Sequence, residues 1–508
     1  MVATTTWVIL ILYFLLLIGI GFYSSKRSSG GLTDFFLAGR GLNKWTVALS
    51  AVSSGRSSWL ILGVTGTAYI GGLQAVWALA GFITVEVFMF FFLARRFRRF
   101  SQKYNAITIP DILEKRFGDK THILRIVSAL ILVFFMVAYV GSQIVGGGIA
   151  FSSTLGFSQT GGMWFMAGIL LFYTVVGGFF AVSRTDVLQA GFMMFSLILL
   201  PVIAIFNLGG IGAVFEMMQT QGAGFVDPFY FSFGAIIGLL GIGFGSPGNP
   251  QIMVRYMSLK NVKEMRQAAL ISTFWNVLMG WGAVMTGLSA RVYFPDVEML
   301  PDANQETAFT MLGAEVLPPI LFGVMVVAVL AAIMSSADSQ LLVGASSLVR
   351  DIYSETFGRG KIISSQRLVW YSRIAIVIIM GLALILAFQA TELVFWMVLF
   401  AFGGLGACFG PALVLSFYWR GLSKAGVLSG MIVGLVVVIL VKQQPEWTLA
   451  FLPNIQELLT TYFFGITYEA VPAFLASLVV TVVVSLFTKK PEFADELVTD
   501  LESGTKKV

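Results

Sequence analysis

Stretches of about twenty apolar residues recur along almost the whole chain, each long enough to cross a hydrocarbon core of about 30 Å as a helix. Of the 508 residues, 57% are hydrophobic and 11% charged, against about 25% charge in an ordinary soluble domain. Too little polar surface is available to face water all round. The chain therefore reads as an all-α integral membrane protein with one transmembrane domain over 1–490. Residues 491–508 form a short polar tail, expected to be mobile.

About thirteen spans can be read from the apolar blocks. They lie near 5–24, 43–70, 74–95, 122–153, 160–182, 187–208, 229–255, 266–291, 318–346, 367–388, 391–418, 424–442 and 469–488. The first block lacks a basic leader and a small-residue cleavage site, so it reads as a retained helix. If the spans alternate, Lys26, Arg27, Arg40, the Arg95–Arg116 basic cluster, Lys260, Lys263, Arg266, Arg350, Arg359, Lys361, Arg367, Lys489 and Lys490 all fall on one side. Asp296, Glu298, Asp302, Glu306, Glu315, Glu446 and Glu457 fall on the other. Positive loops stay cytoplasmic, which places the N-terminus outside and the C-terminus inside.

The single Cys408 and single His122 exclude a disulfide and give no clustered set for zinc, haem or iron–sulfur. No cofactor is expected. The net charge of +6 sits beside apolar blocks, a pattern of membrane orientation rather than of a nucleic-acid face.

Two spans carry residues that open a helix. The second contains Ser53, Ser54, Gly55, Arg56, Ser57 and Ser58, and the seventh contains Gly243, Gly245, Pro247, Gly248 and Pro250. Proline removes a helical hydrogen bond and glycine accepts unusual backbone angles. Unwound backbone at mid-membrane frees groups to hold ions and solutes, whereas small residues can also serve close helix packing. Each segment opens a set of five spans, an odd number, so the second set (about 229–418) is inverted relative to the first (about 43–208). Hydropathy alone carries this repeat.

The runs DFFLAGRGLN (34–43), GGFFAVSRTDVLQ (177–189) and AAIMSSADSQLLVGASSLVRDIY (331–353) resemble the sodium/solute symporter family. ITIPDILEKRFGDKTHILRIVSAL (107–130) is similar to its bacterial sodium/proline branch. The resemblance covers about residues 5–490 and implies a five-plus-five inverted-repeat core of LeuT type in a bacterial inner membrane. It implies a sodium site at Ser53 and Arg56 (both through backbone), Ala332, Ser335 and Ser336. A second site, present in some members, would use Asp186, Ser335, Asp338 and Ser339. Solute contacts are implied on the broken spans and the fourth span, at Ser57, Tyr139, Ile242, Ser246 and Pro250. Ile242 and Ser246 stand where the proline branch carries tryptophan and tyrosine. Gly55 and Arg56 stand where it carries an aspartate and an apolar residue.

Arg56 lies eleven residues beyond Trp45, about 16 Å along a helix and thus near mid-membrane. An arginine there needs a partner. Three readings stay open: a structural pair with Asp338 or another carboxylate, a substitute for the bound cation, or an anchor for a solute carboxylate. For Asp186 the alternatives are a local pair with Arg184 or ion binding. Asp338 is expected to face an ion or Arg56.

The function implied is sodium-coupled symport of a small amino-acid-like solute, proline foremost, with sodium, solute and lipid as partners. The rival is a sodium-independent transporter or facilitator of another small solute. An enzyme would show clustered His, Cys or carboxylates in its spans, and the sequence shows none.

Overall fold

The structure is a computed structural model that describes residues 4–25, 32–358, 363–443 and 468–506. Lys26, Arg27, Arg359, Lys361, Glu446 and Glu457 lie outside the described residues. Among the described residues every regular element is helical.

Among the described residues eleven helices are long and apolar enough to span a membrane, two fewer than expected. The difference has two sources. Lys44–Lys103 runs as one 60-residue helical segment where two spans are read from the sequence. The seventh span is interrupted, so its apolar part, Phe233–Gly248, falls short of spanning length. The first helix, α1 (Thr4–Ser25), turns Leu12, Leu15 and Phe22 outward, as a lipid-facing helix must.

The second span begins with α2 (Lys44–Ser58), whose Asn43 cap accepts a 2.9 Å hydrogen bond from the Thr46 amide. It breaks at Ser57 (φ 46, ψ −169). A non-glycine residue in that region costs about 1–3 kcal/mol unless its surroundings hold it. Helix α3 (Thr65–Gly71) continues the span, and α4 (Val76–Phe88) follows. Outside the spans, α5 (Ile109–Phe117) is capped by Thr108 and closed by left-handed Gly118.

Helix α6 (Ile123–Leu155) is the fourth span. The fifth and sixth spans, Gln159–Val176 and Gly178–Asn207, are two helices that meet at a sharp kink at Gly178 (φ 60, ψ −172) and are labelled together α7 (Gln159–Asn207). Only glycine takes such backbone angles without strain. The seventh span is α8 (Phe233–Leu240), a tighter 3₁₀ stretch Gly241–Gly248, extended Asn249, and α9 (Pro250–Ser258). Asn249 holds this opening, its Nδ2 donating to the Gly245 and Phe402 carbonyls at 2.6 and 3.1 Å. A Cβ at Gly248 would collide with the Leu405 backbone, so glycine is required there.

After α10 (Met265–Tyr293) comes α11 (Pro319–Ser346), in which every side chain from Met325 to Ser346 is buried. It is the central post of the bundle. Helices α12 (Ser365–Phe388), α13 (Val394–Tyr418), α14 (Lys424–Gln443) and α15 (Ala470–Phe487) complete the membrane part.

The tail differs from expectation. Residues Ala494–Lys506 form helix α16, which buries Leu497, Val498 and Leu501 and pairs Asp500 with Lys103 at 2.9 Å. Its apolar stripe gives it a docking face that polarity alone conceals.

Candidate ion and solute site

The break at Ser57 changes the hydrogen bonding of the carbonyls one turn earlier. The Ser58 amide donates to Gln143 Oε1 at 3.1 Å, a partner on α6 rather than on its own helix. The Ser54 carbonyl accepts from Ser336 Oγ at 3.0 Å. Ser335 Oγ donates to the Ser53 carbonyl at 3.1 Å and to the Ala332 carbonyl at 3.2 Å. Ser53, Ala332, Ser335 and Ser336 are thus gathered where α2 meets α11. These carbonyl and hydroxyl oxygens are the hard donors a small monovalent cation takes. The Arg56 carbonyl instead accepts from the Trp59 amide across the break.

A second cluster lies alongside. Arg255 on α9 sends Nη2 to Asp186 Oδ2 at 2.8 Å, Ser54 Oγ at 2.6 Å and Ser339 Oγ at 2.6 Å, while its Nε meets Ser50 Oγ at 2.9 Å. Asp338 accepts from the Tyr173 hydroxyl at 2.6 Å and from Ser339 Oγ at 3.2 Å. Asp186 and Asp338 are fully buried, and Asp186 Oδ1 has no hydrogen-bond partner. The local Arg184 alternative for Asp186 is corrected: Arg184 lies over the Tyr23 and Phe180 rings, and Arg255 is the partner.

Arg56 does not pair with Asp338. Its Nη2 is 3.3 Å from Glu86 Oε2 on α4, its Nε donates to Asn276 Oδ1 on α10 at 2.7 Å, and its Cζ stands 3.9 Å over the Phe82 ring. Asn276 also donates to Glu86. The guanidinium is held instead by groups on α4 and α10.

The expected solute residues are not collected in one cavity. Ile242 lines a cavity of about 240 Å³ with Thr67, Phe395 and Tyr468. Pro250 lines a separate one with Arg255 and Ser339. Ser246 Oγ is buried without a partner. Tyr139 is buried within electrostatic reach of Arg56. Trp59 stacks between Phe82 and Phe395 at 5.7 and 6.1 Å. Arg255, Glu86, Asn276, Gln143 and Tyr173 were not singled out from the sequence. Glu86, a carboxylate in the middle of an apolar span, was the one with a clear signal.

A multi-pass helical membrane bundle with two opened spans, and with oxygens and carboxylates grouped at the openings, has the architecture of a secondary transporter of LeuT type. Solved structures share the fold: a Na⁺-coupled sialic acid symporter in its outward-open state (TM-score 0.79, 17% identity, 96% of this chain and 99% of that one), and MhsT in complex with L-phenylalanine (TM-score 0.52, 15% identity, 87% and 98%). The sodium:solute symporter family model matches residues 35–434, and the chain belongs to that family. It is 38% identical over 482 residues to the high-affinity proline transporter PutP of Bacillus subtilis (strain 168), covering 94% of this chain and 96% of the relative. It is 35% identical over 490 residues to the sodium/proline symporter of Staphylococcus aureus (strain JH9), covering 96% and 93%.

Proposed function

We propose that this chain carries proline, or a small zwitterion much like it, into the cell with sodium as the coupling ion. The observation that carries the reading is the charge balance at the second cluster. Asp186 and Asp338 counted as ionised, with the one guanidinium of Arg255, leave a single negative charge beside an unpartnered carboxylate oxygen. One monovalent cation neutralises it, and an uncompensated charge at that depth costs several kcal/mol. The serine and carbonyl oxygens of Ser53, Ala332, Ser335 and Ser336 supply a route or a first seat for the same ion. Binding of ion and solute together then favours the occluded arrangement, and the gradient supplies the drive through differential affinity between the two faces. The relatives named for proline support the solute class.

The loop charges support an outside N-terminus and an inside C-terminus in a bacterial inner membrane. The two inverted repeats are assigned to about 43–208 and 229–418.

Purified protein in liposomes, loaded with or without an inward sodium gradient, tests the reading with labelled L-proline. Uptake above the external concentration only with sodium is expected. Equal uptake without sodium, or drive by a proton gradient alone, overturns sodium coupling. Uptake of other amino acids but not proline overturns the solute.

A further inference from the structure

Arg56 has a donor for which the protein supplies nothing. Its Nε is taken by Asn276 and its Nη2 by Glu86, yet Nη1 is buried and without a hydrogen-bond partner. A guanidinium presents five N–H donors and cannot shed its charge, so a buried unfilled edge is costly unless a ligand fills it.

The location narrows what that ligand is. Arg56 immediately precedes the backbone break at Ser57, at the depth where the span is open. Two further buried groups lack partners: Trp59 Nε1 on the same span and Ser246 Oγ on the other opened span. Tyr139 stands within electrostatic reach of the same guanidinium.

The three protein contacts fix the guanidinium rather than occupy it. Asn276 and Glu86 hold one edge, and the Phe82 face, 3.9 Å from Cζ, sets the plane. A guanidinium so held matches a planar anion better than any other side chain does. Glu86 also keeps the empty site neutral, so no bare charge is left when the solute departs.

We propose that Arg56 anchors the carboxylate of the transported solute through its open Nη1 edge, with Glu86 as the standing counter-charge. The inference rests on the transport reading above and adds a specificity to it. The ligand class is a small α-amino or imino acid with a free carboxylate, and the corresponding amide or amine is rejected.

The test uses the full chain in liposomes under an inward sodium gradient, with labelled L-proline as the probe and L-proline, L-prolinamide and pyrrolidine as competitors. In the parent, the amide and the amine should compete at least about tenfold more weakly than the acid, the loss expected when a charged hydrogen bond goes unmade. Arg56→Met should raise half-saturating proline by about tenfold or more and bring acid and amide near parity, with Arg56→Lys between. Glu86→Gln should tighten proline without improving prolinamide, since the guanidinium loses its competing anion. An Arg56→Met protein that keeps the parent's acid-over-amide preference overturns the inference, whatever happens to its maximal rate. If Arg56→Met does not insert, Arg56→Lys and Glu86→Gln decide by the same ratio, and an unchanged ratio in both overturns it. A parent with no sodium-driven uptake sinks the transport reading instead. The acid-versus-amide comparison is then read from tryptophan fluorescence of the purified parent, and equal binding of the two sinks this inference as well.

Discussion

Arg255 reaches from the second half of the broken seventh span to Asp186 on the kinked helix α7, its Nη2 2.8 Å from Oδ2, with both side chains fully buried. The contact ties four helices together, because the same nitrogen meets Ser54 on α2 and Ser339 on α11, each at 2.6 Å. It also divides the carboxylate: Oδ2 is filled by Arg255, Ser50 and Ser54, while Oδ1 stays open.

That division predicts the outcome at Asp186. Asp186→Asn keeps the shape but removes the charge a cation answers. Half-saturating sodium should rise about tenfold or more, equivalent to about 1.4 kcal/mol per factor of ten, while proline affinity at saturating sodium changes far less. Ser336→Ala should shift the sodium requirement in the same direction. Sodium titration of uptake checks both. An unchanged sodium response in the two variants would remove these clusters from the coupling account.

The orientation gives a second expected outcome. In a Cys408→Ala background, a single cysteine replacing exposed Asp302 should react with an impermeant thiol reagent added outside intact cells. One replacing exposed Lys489 should react only after the membrane is opened. Labelling of both from the same face is incompatible with the assigned topology.

Much of this was legible in the sequence, and the remainder failed for identifiable reasons. Blocks of apolar residues gave the helices, and the Gly/Pro and serine runs gave both openings, because backbone chemistry is local. The gathering of Ser53, Ala332, Ser335 and Ser336 followed from motifs that the family resemblance carries. The partners of Arg56 and Asp186 did not follow. An arginine's reach spans several helices, and hydropathy does not say which carboxylate lies across the gap. Glu86 was visible as a charge in mid-span, but only the packing of α2, α4 and α10 makes it the partner of Arg56. The docked tail helix was missed because its apolar residues are spaced for one face rather than run together.

At the end of the bundle where α5 packs, Asp111 accepts Arg125 Nη2 at 2.7 Å and Arg350 Nη2 at 3.1 Å. Burial alone would raise this carboxyl, but Arg350 and Arg125 outweigh it and hold the pKa at about 2, below the usual 3.8. A carboxylate held low stabilises the fold above its unfolded value and loses that contribution as pH falls through 3.8 toward 2. Asp111→Asn should therefore cost about 2–3 kcal/mol near neutral pH, a depression of a little under two pKa units at about 1.4 kcal/mol each. The difference from the parent should hold flat from pH 8 to 5 and shrink below pH 4. Thermal unfolding in detergent across that range checks it, and a difference that grows on acidification would contradict the assignment.

The pair at Arg56 makes a prediction about stability separate from its solute role. Arg56 and Glu86 are 1% and 4% exposed and stand 3.3 Å apart, on helices that the sequence places in neighbouring spans. Removing one member of a buried pair leaves the other charge uncompensated and costs about 3–5 kcal/mol, whereas replacing both with neutral groups of similar size is often close to neutral. Arg56→Met alone strands Glu86, and Glu86→Gln alone strands Arg56, although Asn276 still holds the guanidinium in the second case. Arg56→Met should therefore be the more damaging single change. The double variant Arg56→Met/Glu86→Gln should melt nearer the parent than Arg56→Met does. The coupling expected from the four proteins is about 2 kcal/mol or more, within the 0.5–3 kcal/mol found for residues in direct contact. Additive losses in that cycle would mean that the two groups do not sense one another across the 3.3 Å contact, and that the polar cluster of α2, α4 and α10 is held by Asn276 instead.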